Sequence, residues 1–315
     1  KNIKTIGQEF LLLVTGTPYD FIFNGEGELF FSEKERSMFT RNDLYKDKNT
    51  NPDSAYKKYP DFIYYKIAGL FDEVVQRMKQ DPRWTEDADG FTYQKFHTYD
   101  STANKFKYAE NLIWFYNRLF GIDEFGDGLN IANAPKLCSA SKRHGIVGLP
   151  TGSKGNGVDV YIPALVKLLV SNGALGNYKP LVAYEDNLKE IKETITTDET
   201  PTLTFTCIKH LTGANVPSWG HFVMLRPIGD SIKFFEQATG RIGRVSDNKT
   251  NCGVFLGDLE AAMNIAVAVE EKISLERGEN LGTSIIIEQT LKNFFFFNFH
   301  TWFNPLFFHC NNILA

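Results

Sequence analysis

The stretch WGHFVMLRPIGDSIKFFEQ, residues 219–237, decides the predicted fold. One apolar run begins at His221, a tight turn follows at residues 228–231, and a second apolar run ends at Glu236. Two short strands joined by a turn of this size form an antiparallel hairpin, in which the end of the second strand returns beside the start of the first. The pattern therefore predicts that Glu236 or Gln237 lies next to the imidazole of His221.

A histidine held beside a polar partner is suited to act as the base for a nucleophile, because the partner fixes its tautomer and orientation. A cysteine thiol, whose ordinary pKa is about 8.5, becomes an efficient nucleophile beside such an imidazole or at a helix N-terminus. The chain has four cysteines and no CxxC pair, which argues against a zinc knuckle or a redox motif. It also has no HExxH, the commonest signature of a zinc hydrolase.

Cys138 is the preferred nucleophile. The small residues at 139–141 follow it, in a stretch able to begin a helix that would favour the thiolate. Cys207 lies in the strand-like run LTFTCI, a setting typical of a buried thiol, and is the second candidate; a bridge between Cys207 and Cys252 stays open as an alternative. The backbone N–H of Cys138 and the side chain of Asn133 are the predicted oxyanion donors.

The order of cysteine, histidine and polar residue resembles that of NlpC-type and CHAP-type amidases and peptidases of the papain-like thiol hydrolase superfamily. GHFVML, residues 220–225, resembles their Gly-His-hydrophobic strand, and FFEQA, residues 234–238, resembles the CHAP-type hairpin ending. Residues 138–150 resemble the NlpC-type segment with its Cys-Ser, Gly-Ile and Leu-Pro pairs, although the segment is about one helical turn shorter. Ala238 stands where the CHAP-type pattern commonly has an Asn.

This resemblance implies an α+β fold with a papain-like core, in which a helix bearing the cysteine packs on an antiparallel sheet bearing the histidine. The implied catalytic set is Cys138, His221 and either Glu236, by the CHAP-type pattern, or Gln237, by the NlpC-type one. The implied reaction is amide hydrolysis through an acyl-enzyme, with peptidoglycan stem peptides as the substrate. Two alternatives stay open: a protein-directed thiol protease or deamidase effector, and a papain-like binding module without catalysis.

The expected partners follow from the same resemblance and from composition. They are peptidoglycan or a protein substrate, with an immunity or inhibitor protein as a further partner, and the protein is expected to act outside the producing cell without a cofactor. A net charge of −4 gives no basic footprint for nucleic acid. No apolar run reaches the roughly 18 residues that a transmembrane helix needs.

Three regions are predicted along the chain. Residues 1–125 form an accessory region with a β hairpin and helices, residues 126–293 form the catalytic domain, and residues 294–315 form an aromatic tail without an assigned role. Two loops are not read as ligand sites: residues 85–96 lack the end ligands of a calcium loop, and residues 151–157 lack the Gly-Lys-Ser/Thr ending of a phosphate loop. Apolar spacing predicts helices at 60–80, 103–120, 160–171 and 259–275 and strands at 202–208, 221–226 and 231–236, with residues 40–60 as a loop.

Overall fold

The structure is a computed structural model in which most of the chain between residues 41 and 257 is described. The described residues are 41–84, 92–121, 130–134, 136–150, 158–184, 186–197, 199–207, 214–225, 237–257, 267–268, 271, 274–275, 278, 282, 285 and 300–301. The predicted β structure near the N-terminus, the predicted strand 231–236, most of the predicted helix 259–275 and most of the aromatic tail therefore lie outside the described residues.

A parallel sheet of seven strands organises these residues, in the order β5-β6-β4-β7-β8-β1-β9. A separate antiparallel pair is formed by β2 and β3. The strands are β1 (Asp61–Lys66), β2 (Tyr99–Asp100), β3 (Lys105–Phe106), β4 (His144–Gly148), β5 (Lys179–Val182), β6 (Thr202–Thr206), β7 (His221–Met224), β8 (Asn251–Leu256) and β9 (His300–Thr301).

Helices cover both faces of the large sheet, which gives a mixed α/β architecture. One core contains Leu70, Phe115 and Leu165, and the opposite core contains Ile191 and Trp219. The helices are α1 (Arg41–Thr50), α2 (Ala68–Gln80), α3 (Tyr93–Phe96), α4 (Ala109–Phe120), α5 (Ser139–Arg143), α6 (Val158–Ser171) and α7 (Leu188–Thr197), with a 3-10 turn at Ile131–Asn133. No helix within the described ranges combines the length and the apolar content needed to cross a membrane.

The predicted antiparallel sheet is wrong for the strands that the structure describes. β6 and β7 occur where strands were expected, but both pair in parallel with β4. The 14 residues between Thr206 and His221 are long enough for the crossover that parallel strands require. All residues of β4, β6 and β7 are buried, as in a sheet covered on both faces. A papain-like antiparallel core is therefore not what these strands form.

The first strand of the predicted hairpin is β7, which lies inside the parallel sheet. β7 pairs with β4 on one edge and with β8 on the other, and both pairings are parallel. The second strand of the predicted hairpin, residues 231–236, lies outside the described residues. The apolar run and turn that favoured a hairpin are equally compatible with a buried parallel strand followed by a turn, because such strands carry continuous apolar runs. Periodicity did not distinguish the two arrangements.

The predicted helix over 103–120 begins only at Ala109, after the strand β3, and two further elements differ from the sequence prediction. The predicted helix over 60–80 is a strand, β1, followed by the helix α2. Its first residues, DFIYYK, are rich in aromatic residues that fit a buried strand, and their apolar spacing also satisfied the helical template. The polar segment predicted as a loop over 40–60 begins with α1, whose Tyr45 is buried against Phe62 of β1.

β1 connects the N-terminal part of the chain to the centre of the fold. It pairs with β8 in register from Asp61 opposite Asn251 to Lys66 opposite Leu256. β1 lies in the region predicted as accessory, residues 1–125, and it shares one sheet with strands of the region predicted as the catalytic domain.

Candidate functional site

The amino-terminal edge of the sheet brings the predicted nucleophile and histidine into one neighbourhood. Parallel strands begin at the same edge, so α5, which leads directly into β4, lies beside the first residues of β7 and β8. Cys138 is the residue immediately before α5, and its backbone N–H donates to Asn251 Oδ1 at 2.9 Å. The side chain of Asn251 also donates to the carbonyl oxygen of Lys136 at 2.8 Å. The start of β8 thus fixes the segment that carries the thiol.

The thiol of Cys138 is partly exposed and polarised by its neighbours. Its Sγ lies 3.1 Å from Ser141 Oγ and within 3.9 Å of the carbonyl oxygen of Asn251. Burial raises the pKa of this thiol, but hydrogen bonds with Ser141 and with the backbone of Thr250 and Asn251 lower it by more than burial raises it. The resulting pKa is about 7. A large fraction of the thiol is therefore ionised at neutral pH, as reactive cysteines require.

His221 occupies the first position of β7 and is completely buried. Its Nδ1 donates to the carbonyl oxygen of Ser141 at 2.8 Å. Its Nε2 faces Gly145 and has no hydrogen-bond partner among the described residues. Burial lowers the pKa of the imidazole to about 4, although the contact with Ser141 opposes this shift. The imidazole is therefore neutral, and the structure gives it no hydrogen bond to the thiol of Cys138.

The other predicted site residues are dispersed. Asn133 is exposed at the end of the 3-10 turn. Gln237 is half-buried at the start of a short helical turn, and Glu236 lies outside the described residues. Cys207 and Cys252 are buried thiols with no disulfide between them, so the alternative bridge is wrong.

A turn with two arginines, QATGRIGR at residues 237–244, also lies at the amino-terminal edge and was missed from the sequence. Arg241 is half-buried and its Nη1 donates to the carbonyl oxygen of Ala214 at 3.0 Å. Arg244 is exposed, and its charge together with the stronger effect of burial lowers the pKa of Arg241. In the described part of the chain neither guanidinium forms an ion pair with a carboxylate. The repeated Gly-Arg pairs were the signal that could have found this turn.

Lys249 anchors the arginine turn. The lysine is buried, and its Nζ donates to the carbonyl oxygens of Trp219 at 3.0 Å and Ile242 at 3.1 Å, and to that of Pro217. On the other side of the turn, a Cβ added at Gly243 would lie 2.7 Å from a ring carbon of Phe62. The turn is therefore fixed both to the segment that precedes β7 and to β1.

A cleft of about 700 Å³ opens at the same edge, between the end of α4, α5 and the residues that precede β5. Its polar lining comes from Asn130, Asn133, Ser139, Lys142, Arg143, Asn177 and Tyr178. No group of three or more histidine, cysteine or acidic side chains in the described ranges is arranged to hold a metal ion.

Comparison with known proteins does not assign this chain to a family. No family model matches the sequence, and no curated protein matches it. Among solved structures, the C-terminal part of the Fun30 ATPase domain is similar with 11% sequence identity and a TM-score of 0.31, over 76% of this chain and 99% of that chain. A TM-score of this size identifies neither a fold nor a function.

Proposed function

We propose that this α/β domain binds the phosphates of a nucleotide through Arg241 and Arg244, and that it supplies these arginines to a nucleotide-hydrolysing site completed by another domain or chain. The observation that carries the proposal is the guanidinium pair, held on an anchored turn without a carboxylate partner in the described part of the chain. Two like charges held close together repel each other, and an anion between them relieves that repulsion.

Phosphate is the anion that best suits the pair. A guanidinium presents a planar set of N–H donors that matches phosphate oxygens bidentately. The contact of Arg241 with the carbonyl oxygen of Ala214 and the anchoring by Lys249 restrict the turn, so little freedom is lost when a ligand binds. An arginine held in this way stabilises the charge that develops during phosphoryl transfer.

The need for a second domain or chain follows from the sequence and from the position of the turn. The sequence has no G-x-x-x-x-G-K-S/T segment to cradle the β- and γ-phosphates. Open parallel sheets usually bind ligands at the carboxyl ends of their strands, whereas the arginine turn lies at the amino-terminal edge. Arg241 and Arg244 would therefore bind the phosphates themselves, and the groups that activate the attacking water would come from the other domain or chain.

Isothermal titration with a non-hydrolysable ATP analogue and with adenosine tests this function. The analogue should bind and adenosine should not, and Arg241→Gln or Arg244→Gln should weaken binding of the analogue by about tenfold or more, because each removes a charge-assisted phosphate contact. Arg77→Gln is the matched control, since Arg77 stacks on Trp114 away from the turn. Equal binding of analogue and adenosine, or full affinity in both arginine variants, would refute the proposal.

A second candidate function rests on Cys138. We propose, as the alternative, a cysteine-dependent amidase or endopeptidase that acts on peptidoglycan stem peptides or on a protein. The supporting observation is a partly exposed thiol with a pKa of about 7. In this arrangement His221 would have to leave its buried position to serve as the base, because its Nδ1 is bound to the carbonyl oxygen of Ser141.

Digestion of purified peptidoglycan tests the hydrolase function. Wild-type protein and Cys138→Ala are incubated in parallel and the products are read by mass spectrometry. Stem-peptide fragments made by the wild type alone support the hydrolase. If no wall product appears but Cys138 is selectively alkylated, a protein substrate is favoured. If neither wall products nor selective alkylation are observed, the hydrolase function is refuted.

A further inference from the structure

The geometry points to a second anion site in the cleft beside α5, which we propose binds a phosphate-bearing small molecule through Lys142 and Arg143. The cleft is open to solvent and has a volume of about 700 Å³, within the range of pockets that hold small ligands. Among the described residues, its lining includes both cations and no carboxylate. The charge of this described lining favours an anion.

Lys142 provides the first positive charge. It is partly buried, and burial lowers the pKa of its ammonium group, with the nearby Cys138 thiol opposing this shift. Among the described residues it forms no ion pair with a carboxylate. A partly desolvated ammonium gains stability from a bound anion, because the anion replaces the lost hydration.

Arg143 provides the second charge in a fixed orientation. Its Nε donates to the carbonyl oxygen of Glu199 at 2.9 Å, and its Nη2 donates to the same oxygen. These contacts hold one edge of the guanidinium, and no hydrogen bond from Nη1 to another described residue is present. A hydroxyl from Ser139 and side-chain amides from Asn133 and Asn177 line the same cleft. This combination of an ammonium, a guanidinium and neutral donors suits the several oxygens of a phosphate group.

The walls of the cleft are tied together. The hydroxyl of Tyr178 donates to the carbonyl oxygen of Lys142 at 2.8 Å, which joins α5 to the segment before β5. Asn130 bridges the two sides of its own turn, with its Nδ2 donating to the carbonyl oxygen of Gly121 and its Oδ1 accepting from the N–H of Ala132. Gly176 has φ +54°, and a Cβ there would lie 2.6 Å from the carbonyl oxygen of Phe120. The cleft is therefore preformed, which lowers the entropy cost of binding.

The cleft is separate from the arginine turn. Phe120, which lines the cleft, belongs to the core that contains α4. Ala238 and Ile242 of the arginine turn belong to the core on the opposite face of the sheet, with Trp219. A failure of one anion site can consequently be observed while the other still binds.

Footprinting of lysine side chains by acetylation tests the cleft directly. Ribose 5-phosphate should slow acetylation of Lys142 by about tenfold at saturation and leave Lys167, an exposed lysine of α6, unchanged. Succinate, which carries carboxylates in place of the phosphate, should protect Lys142 much less. Unchanged acetylation of Lys142 overturns the site, and equal protection by succinate overturns its phosphate character.

Variants then assign the ligand to the named residues. Arg143→Gln should remove the protection of Lys142, and Arg143→Lys should restore part of it, since the charge returns without the planar set of donors. Arg241→Gln should leave the protection intact even if it abolishes binding of the ATP analogue. Loss of protection in Arg241→Gln, or full protection in Arg143→Gln, would show that the anion binds elsewhere.

Discussion

His221 Nδ1 donates to the carbonyl oxygen of Ser141 at 2.8 Å, so the histidine holds the backbone of the helix that carries Cys138 rather than the thiol itself. Both partners are buried, and the contact spans 80 positions of the sequence. The histidine therefore connects the start of β7 to α5 as a structural contact. We therefore expect His221 to contribute mainly to the stability of the fold.

Replacement of the histidine tests this role. His221→Ala should lower the free energy of unfolding by about 2–4 kcal/mol, because it leaves a carbonyl oxygen without its donor and creates a cavity. The rate of alkylation of Cys138 by iodoacetamide should change by less than about threefold, since the pKa of the thiol depends on Ser141 and backbone groups. Urea denaturation and timed alkylation measure the two effects. A large loss of alkylation with little loss of stability would instead identify His221 as the base.

Acid should destabilise the protein through two buried histidines. The pKa values of His97 and His221 fall from the ordinary 6.5 to about 4, mainly because burial disfavours the charged ring. Below pH 6.5 the unfolded chain takes up these protons while the folded chain does not, so stability is full above that pH and is lost as the pH falls through 4. The loss is roughly 3 kcal/mol per histidine.

Urea denaturation at pH 7.0, 5.5 and 4.5 measures this dependence. His97→Gln and His221→Gln should each flatten the slope of stability against pH, whatever their effect at pH 7.0. A slope that is unchanged in both variants would assign the acid sensitivity to other groups.

A close approach at Gly145 gives a sharp test of packing. A Cβ at this position would overlap Nε2 of His221, so Gly145→Ala should cost about 3 kcal/mol of stability. Gly282→Ala is the control, because a Cβ there meets nothing within 4 Å. The double variant Gly145→Ala with His221→Ala should lose less stability than the sum of the losses in the two single variants. Additive losses of stability would show that residues 145 and 221 do not interact.

The reactivity of Cys138 should depend on its hydroxyl neighbour. The alkylation rate should rise with a midpoint near pH 7, and Ser141→Ala should move that midpoint upward because it removes a hydrogen bond that lowers the pKa of the thiol. Ser139→Ala, an exposed neighbouring serine, should leave the midpoint in place. A midpoint near the ordinary thiol value in the wild type would contradict this prediction.

The anchor of the arginine turn should be measurable as stability. Lys249→Met leaves the carbonyl oxygens of Pro217, Trp219 and Ile242 without their common donor, and a loss of about 2–4 kcal/mol is expected. Lys189→Met, on a side chain that is 89% exposed, should stay within about 0.5 kcal/mol of the wild type. Equal stability of the two variants would show that Lys249 does not hold the turn.

Local sequence signals located several elements well. The apolar spacing and Gly121 predicted the end of α4, and the predicted helix over 160–171 is α6 with two more residues at its start. The small residues after Cys138 predicted a helix start, and α5 begins there. These features depend on neighbours in the sequence, so the sequence carries them.

The direction of the strands and the burial of His221 could not be predicted in the same way. Whether β7 pairs in parallel depends on β4 and β8, which lie 77 and 30 residues away at their first positions and share no local signal with it. A histidine that begins an apolar run has the same sequence whether its ring meets a thiol or a backbone carbonyl. Only the register Gly145–His221–Gly253 decides which group the ring meets.

The place of β1 in the sheet has a consequence for folding during synthesis. Its sheet neighbours are β8 and β9, so the first strand of the large sheet must wait for roughly 180 further residues before it can pair. At ribosomal rates of about 5–20 residues per second this delay is on the order of 10–40 s. During that time the aromatic run DFIYYK remains without its hydrogen-bonding partners. We expect the nascent chain to be vulnerable to aggregation at this strand until β8 emerges.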